Sequence, residues 1–382
     1  MSLIQAAPLP EVSTIVMGQS PPGSSYNEAG AGLPFFQGKA EFGELSPTPK
    51  KWCTEPQRIA ECGDVLMSVR APVGPTNLAS ERCCIGRGLA AIRANPARLD
   101  GAYLRFFLRF AEPRLAAKGQ GSTFAAIGRA EIASLHIPLP SLDEQRRIVD
   151  LLARAEGIVR LCREAQQKAA ELIPAIFIDM FGDPATNPKQ WPVRTLGEVL
   201  DAIDYGSSTK ASTTGDGLPI IRMGNVTTAG DLDLDDLKFV ELSENEAERF
   251  RLRKGDLLFN RTNSKELVGK TGLWDGSLDA VVASYFIRLR AQPDVAVPSY
   301  LWAWMNSRHM KRVLFDTARG AIGQANINSR ELRAFRIAVP PLKQQQSFDA
   351  WVHHIRSLCR QQAEALIRAT ATFDALLSRA FN

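Results

Sequence analysis

The chain is poor in the residues that most often announce chemistry. Its 382 residues include six cysteines and four histidines. The cysteines Cys53, Cys62, Cys83, Cys84, Cys162 and Cys359 form no C-x-x-C pair, and the adjacent His353 and His354 would point to different sides of a helix. This argues against a metal centre or a disulfide framework, and reduced, mostly buried thiols are expected. No apolar run approaches the ~20 residues needed to cross a bilayer. The opening MSLIQAAPLP lacks the basic and apolar segments of a secretory leader, so a cytoplasmic protein without membrane contact is expected. Neither charge sign dominates: the formal net charge of +5 is compatible with nucleic acid without requiring it.

Enzymatic signatures are missing too. SKELVGKT ends like a phosphate-binding loop, but Ser264 stands where that motif begins with glycine. The GLWDG that follows reads as turn and strand, whereas a phosphate loop must open a helix. There is no N-P-P-F or D-P-P-Y tetrapeptide with a Gly-rich cofactor loop, and no P-D…E-x-K arrangement. No catalytic residue, cofactor or metal is expected. Tyr300, Trp302 and Trp304 could stack bases, but on a helix they read as core.

What the chain does contain is itself, twice. GLPFFQG at Gly32 matches GLPIIRMG at Gly217. ECGDVLMSVR at Glu61 matches RKGDLLFNR at Arg253. AYLRFF around Tyr103 matches SYLWAW around Tyr300, and AEIASLHIPLPSLDEQ matches RELRAFRIAVPPLKQQ. The order never changes, and the offset grows slowly through small insertions. Each copy reads as short strands broken by Gly, Pro, Ser and Thr, then a helix (near Ala102 to Ala117 and Pro298 to Phe315). A polar Gly-rich loop, a last strand ending in proline and a long helix follow. The expected fold class is α+β: two tandem mixed α/β domains, 1–141 and 185–341, each followed by a long helix, 142–184 and 342–382.

The helix starts have local causes. Pro140 stops the strand, and Ser141 with Glu144 forms an S-x-x-E capping box, which leaves Glu144 and Gln145 no catalytic reading. Copy two has Pro341 and Gln344 instead and keeps only a proline suited to a first turn. Apolar or small residues then recur at heptad spacing: Ile148, Leu151, Ala155, Ile158, Cys162, Ala165, Ala169, Leu172 and Ile176. The second copy places Phe348, Trp351, Ile355, Leu358, Gln362, Ala365, Ala369, Thr372 and Leu376 likewise. Pro174 should loosen the last turns of the first helix, and FGDPATNP ends it. Each helix could pack on its own domain. Two related seams on helices longer than a domain instead favour an antiparallel coiled coil with pseudo-two-fold symmetry.

These features resemble the specificity subunit of Type I restriction–modification systems. The resemblance rests on IPLPSLDEQRRI from Ile137, on the GDVL and GDLL strands, on FGDPATNPKQW after the first helix, and on the repeated domain-plus-helix order. It covers essentially the whole chain; the degraded PPLKQQ of copy two and a very short lead-in depart from it. The resemblance implies two target recognition domains, each reading half of a split, asymmetric site on double-stranded DNA. It implies paired helices that space the halves, and docking of two methyltransferase subunits and of restriction–translocase subunits. It implies no chemistry in the subunit itself. A non-enzymatic coiled-coil adaptor whose domains bind something other than DNA is the alternative, separated by salt-dependent binding to duplex DNA.

Reading DNA needs amide, hydroxyl and guanidinium groups at domain edges. The matched loops offer Gln37 and Lys39 against Arg222 and Asn225. At the end of the Gly-Asp strand they offer Ser68 and Arg70 against Asn260, Arg261, Thr262, Asn263 and Lys265. In the Gly-rich loop they offer Gln120, Ser122 and Thr123 against Gln324, Asn326 and Asn328. Arg70 and Arg261 are the candidate base readers or phosphate clamps; a solvated turn is the plainer reading of either one.

Overall fold

The computed structural model describes residues 5–119, 126–213, 217–321 and 324–382. The chain divides into two compact units, Met1–Arg163 with Glu364–Asn382, and Glu164–Ala363. Both boundaries fall inside the long helices, which run Leu142–Phe181 and Leu342–Phe381, 40 residues each. At about 1.5 Å per residue each is roughly 60 Å long. The first helix continues through Pro174 and stops at Gly182. There φ is +83°, and a Cβ would meet the Pro188 ring at 2.5 Å, so only glycine turns the chain there.

In the first unit, Ala6–Pro8 pairs antiparallel with His136–Pro138, so the first strand closes onto the last. A four-stranded antiparallel sheet has the order Ser13–Met17, Leu89–Ala94, Val65–Ser68, Thr76–Leu78. Its central strand is buried on both faces: Val65 and Met67 enter one core and Leu66 another. That explains the unbroken VLM run, because a strand covered on both sides loses the apolar–polar alternation. A five-stranded sheet joins Leu33–Phe36 in parallel to Cys83–Ile85.

The helix Gly101–Ala117 packs on the four-stranded sheet and is capped by Asp100, which accepts the amides of Ala102 and Tyr103. It also shows how the long-helix segments run. Gln145 meets the start of this helix at Asp100, and Glu156 meets Arg105 and Arg109 further along. From the other long helix, Phe381 packs on Tyr103, whereas Phe373 packs on Phe106 and under the Arg109 guanidinium. Within this unit the two segments therefore run in opposite directions, and both contribute to one core with Leu152, Val159 and Leu377.

The second unit repeats the plan. Val193–Thr195 pairs with Arg336–Ala338. The four-stranded sheet has the order Leu200–Tyr205, Phe286–Ala291, Leu257–Asn260, Thr271–Leu273. Leu218–Ile221 runs parallel to Val281–Val282. Its core takes Ile173, Phe177 and Phe181 from the end of the first long helix, and Phe348, Val352 and Ile355 from the start of the second. Tyr300, Trp302 and Trp304 are buried here as core.

The expected heptad register is corrected. Ala155 and Ala169 are buried, but Leu151, Ile158 and Leu172 are exposed; their neighbours Leu152, Val159 and Ile173 are inside instead. The same shift holds at Val352, Phe373 and Leu377, with Trp351 exposed. A helix that packs on a domain as well as on a partner helix buries a broader, offset stripe. The expected helix from Pro298 to Phe315 is also two helices, Pro298–Asn306 and Arg308–Thr317. Ser307 breaks it, and its hydroxyl caps the second piece at Met310 N. Among the described residues, no helix is long and apolar enough to cross a membrane.

Candidate nucleic-acid interface

The frame that positions the loops is the same in both units. Gly63 and Gly255 have φ of +86° and +92°, which lets a tight turn enter the central strand. Asp64 and Asp256, which follow them, are both 2% exposed. Asp64 accepts the Glu61 amide (2.8 Å) and a bidentate pair of bonds from Arg93 (2.7 and 2.8 Å). Asp256 does the same with the Arg253 amide and with Arg290 (2.8 and 3.2 Å). The motif read as a strand entry is thus also an ion-pair anchor, and each arginine lies on the neighbouring strand.

A second repeated device sits at the head of each long helix. Gln145 is fully buried; its oxygen accepts the Asp100 amide and its nitrogen donates to the carbonyls of Arg98 and Pro140. Gln345 accepts from Val297 N and donates to Val295 and Pro340. This glutamine survives in both DEQ and KQQ because it satisfies three buried backbone groups at once. Ser141 caps Glu144 N at 3.3 Å, which is the lesser part of the story.

The expected contact residues fall into three groups. Some are interior. Ser68 is 2% exposed and donates to the Arg70 carbonyl. Asn225 is buried, accepts the Arg222 amide and donates to the carbonyls of Asp233 and Asp236. Asn260 is completely buried. These side chains lie inside their loops. Asn328 is exposed but serves as the cap of Ser329–Ala334, accepting from Arg330 and Glu331 at 2.9 Å each. Its N-x-x-E spacing was the available signal. Arg222 is tied to Asp236.

Others are outward. Lys39 and Arg70 are exposed, and Gln37 lies in a cleft with Ser20. Lys265 lies over the exposed Phe315 ring at 4.3 Å. Gln120, Ser122 and Thr123 lie outside the described residues. Gln324 belongs to the strand Gln324–Asn326, which pairs with Thr262–Asn263 and with Arg319–Ala321.

The third group is a constellation around Arg261. That strand pairing brings Thr262 and Asn263 beside Asn326 and Ala325. Arg261 lies over the Tyr205 ring (4.7 Å) and reaches Asn326 Oδ1 (3.5 Å). Tyr205 donates to Ser329 Oγ (3.1 Å) and accepts the Ser329 amide (3.2 Å). Burial alone would raise the Tyr205 hydroxyl, but the Ser329 hydrogen bonds and the Arg261 charge bring it below the ordinary tyrosine range. Arg93, Arg105, Arg109, Arg288 and Arg290 all meet a carboxylate. Arg261 is instead held by a ring and an amide, and among the described residues no carboxylate pairs with it. Its Nε and the neighbouring Asn260 Nδ2 are buried donors that make no hydrogen bond among the described residues. Such orphans cost about 1–3 kcal/mol each; the Nε atoms of Arg105, Arg222, Arg251 and Arg288 are in the same state, so they do not by themselves single out a contact. Behind this loop Lys270 donates to Val226 O and Lys311 to Gly269 O. Burial, with Lys270 adding to it, pulls Lys311 down to about 8.

The description "Type I restriction modification DNA specificity domain" matches this chain twice, over residues 6–170 and 188–351. The chain belongs to that family. The first family match begins at the lead-in strand Ala6–Pro8, the second shortly before Val193–Thr195, and both run into a long helix. Among relatives, the putative type I restriction enzyme MjaX specificity subunit of Methanocaldococcus jannaschii is 42% identical over 154 residues, 40% of this chain and 36% of that one. The type I restriction enzyme EcoKI specificity subunit of Escherichia coli K12 is 25% identical over 372 residues, 90% of this chain and 79% of the relative. The crystal structure of the Type-I restriction-modification system S subunit from M. genitalium is 15% identical and has a TM-score of 0.56. It covers 99% of this chain and 96% of that one, and so shares the fold.

Within this specificity-domain frame, Tyr205 and Ser329 were not found from the sequence. Tyr205 ends the strand Leu200–Tyr205, and an aromatic residue before a Gly-Ser-Ser loop was the only local signal.

Proposed function

We propose that this chain is a DNA sequence-recognition subunit whose two units read the two halves of a split, asymmetric site on duplex DNA. The long helices act as the spacer. The chain docks two methyltransferase subunits and restriction–translocase subunits in the cytoplasm and performs no chemistry of its own. Family membership supports the DNA role. The observation that carries it to particular residues is the Arg261 constellation: a guanidinium that meets no carboxylate among the described residues, pre-oriented by Tyr205 and Asn326, in a loop where the two copies differ. A frame repeated bond for bond with loops of different chemistry is what two readers of different sequences require.

The test is co-expression with the cognate methyltransferase and mapping of the modified bases. A split motif with one fixed gap is expected; continuous or absent modification overturns the reading. In the same assay Arg261→Ala should cost about 1–3 kcal/mol of discrimination at one position of one half-site. An unchanged motif removes Arg261 as a base reader.

A further inference from the structure

The first unit has no counterpart of the Arg261 constellation among its described residues, but it has a cleft. Its volume is about 570 Å³, and its lining includes the stacked pair Tyr26 and Phe35, with centroids 4.7 Å apart. Gln37 and Ser20, also in the lining, share a hydrogen bond at 3.2 Å. Three cations, Lys50, Lys51 and Arg87, line it, and all three are exposed. None of the three has an ion-pair partner among the described residues. The one carboxylate among the lining residues, Glu41, accepts the Gly38 amide at 3.0 Å and is outnumbered by the three cations.

Backbone geometry holds this arrangement in place. Arg87 sits between Gly86 and Gly88 in the turn joining Cys83–Ile85 to Leu89–Ala94. A Cβ on Gly86 would lie 2.2 Å from Gln37 Oε1, and one on Gly88 would lie 2.4 Å from Gln37 O. Gly88 N donates to Gln37 O at 3.1 Å and Gly86 N to Phe36 O at 2.8 Å. Glycine on both sides is what lets the Arg87 turn close over Gln37. The result is a concave site lined by several cations, neutral hydrogen-bonding groups and an aromatic pair.

We propose that this cleft seats a phosphodiester of one DNA strand, with Lys51 and Arg87 gripping phosphate oxygens, Gln37 and Ser20 donating to them, and the adjoining deoxyribose lying on Tyr26. This rests on the DNA reading proposed above and assigns the first unit its backbone clamp. A concave site suits the convex sugar-phosphate edge. Base edges recessed in a groove are reached by protruding side chains.

The experiment titrates the full chain with duplex DNA carrying the mapped site, over a range of salt. Each phosphate contact contributes about 0.9 to the slope of log K against log salt. The double variant Lys51→Ala, Arg87→Ala should lower the slope by about two, with the modification motif unchanged. Both side chains are exposed, and thermal unfolding checks that the variant is folded. Gly86→Ala, which drives Gln37 from its position, should weaken binding while every cation remains; Gln37→Ala serves the same purpose if that variant does not fold. An unchanged slope in the double variant overturns the clamp. A changed first half-site with an unchanged slope overturns it too, in favour of base reading. Stabilisation of the wild type by inorganic phosphate alone, with the DNA slope unaltered in the variant, makes the cleft a free-anion seat and also overturns it. If the wild type shows no salt-dependent DNA binding, the broader proposal has failed and not merely this one.

Discussion

The two units answer the same mechanical problem with the same atoms in some places and with different chemistry in others. Gly63–Asp64–Arg93 and Gly255–Asp256–Arg290 are equivalent bond for bond, as are Gln145 and Gln345. Where a long helix meets the domain helix, however, the first unit uses Glu156 between Arg105 and Arg109, and the second places Arg356 over the Trp302 ring at 4.4 Å. Backbone groups buried at a turn accept few substitutes, so those positions repeat. A contact between two side chains can be rebuilt from either end, so it diverges. The loops diverge most, with Arg261 on Tyr205 in one unit and the Arg87 cleft in the other.

This comparison can be broken most forcefully at the ends of the long helices. Phe381 packs on Tyr103, Phe107 and Phe110 in the first unit, and Phe181 packs on Tyr300 and Phe348 in the second. Either Phe→Ala change should cost about 3–5 kcal/mol. Hydrogen exchange should locate the damage far away in sequence: Phe381→Ala exposes Gly101–Ala117, and Phe181→Ala exposes Pro298–Asn306. Loss of protection in the opposite unit would contradict the shared cores.

A smaller effect is expected at the glutamines. Gln145→Ala and Gln345→Ala each strand buried backbone groups, and each should lower stability by about 1–3 kcal/mol in denaturant unfolding. Unequal costs would show that the two helix heads are not the same device.

The smallest effect concerns pH. Burial would raise the Glu156 carboxyl, but Arg105 and Arg109 outweigh it and hold it below the usual carboxylate range. A carboxyl lowered on folding adds stability above its unfolded pKa, and that stability is lost as pH falls through the folded value. Glu156→Gln should therefore flatten the acid limb of the first unit's unfolding and leave the second unit, held by Arg356, unaltered. An acid limb that does not move removes the ion pair as a stabilising contact.

Much of this was legible locally. The strand entries, the proline stops and the core role of Tyr300 and Trp304 follow from short stretches of chain. The heptad seam was legible only as a period. Leu151 and Leu152, or Ile158 and Val159, are equally apolar neighbours, and which one is buried depends on the domain helix packed alongside. Asn225 and Asn260 looked like contacts because loop asparagines often are. Their burial depends on carbonyls and loop neighbours that only the folded chain brings near.

By itself, the order of residues determined that the chain is a duplication, that each copy ends in a long helix, and where those helices begin. Those properties rest on capping, on proline and on periodicity, which act over a few residues. Only the tertiary structure decided that the end of each long helix completes the unit beside the start of the other, and that Arg261 meets Tyr205 and Asn326. Such partners are far apart in sequence, and no local propensity distinguishes one apolar stripe or one ring from another.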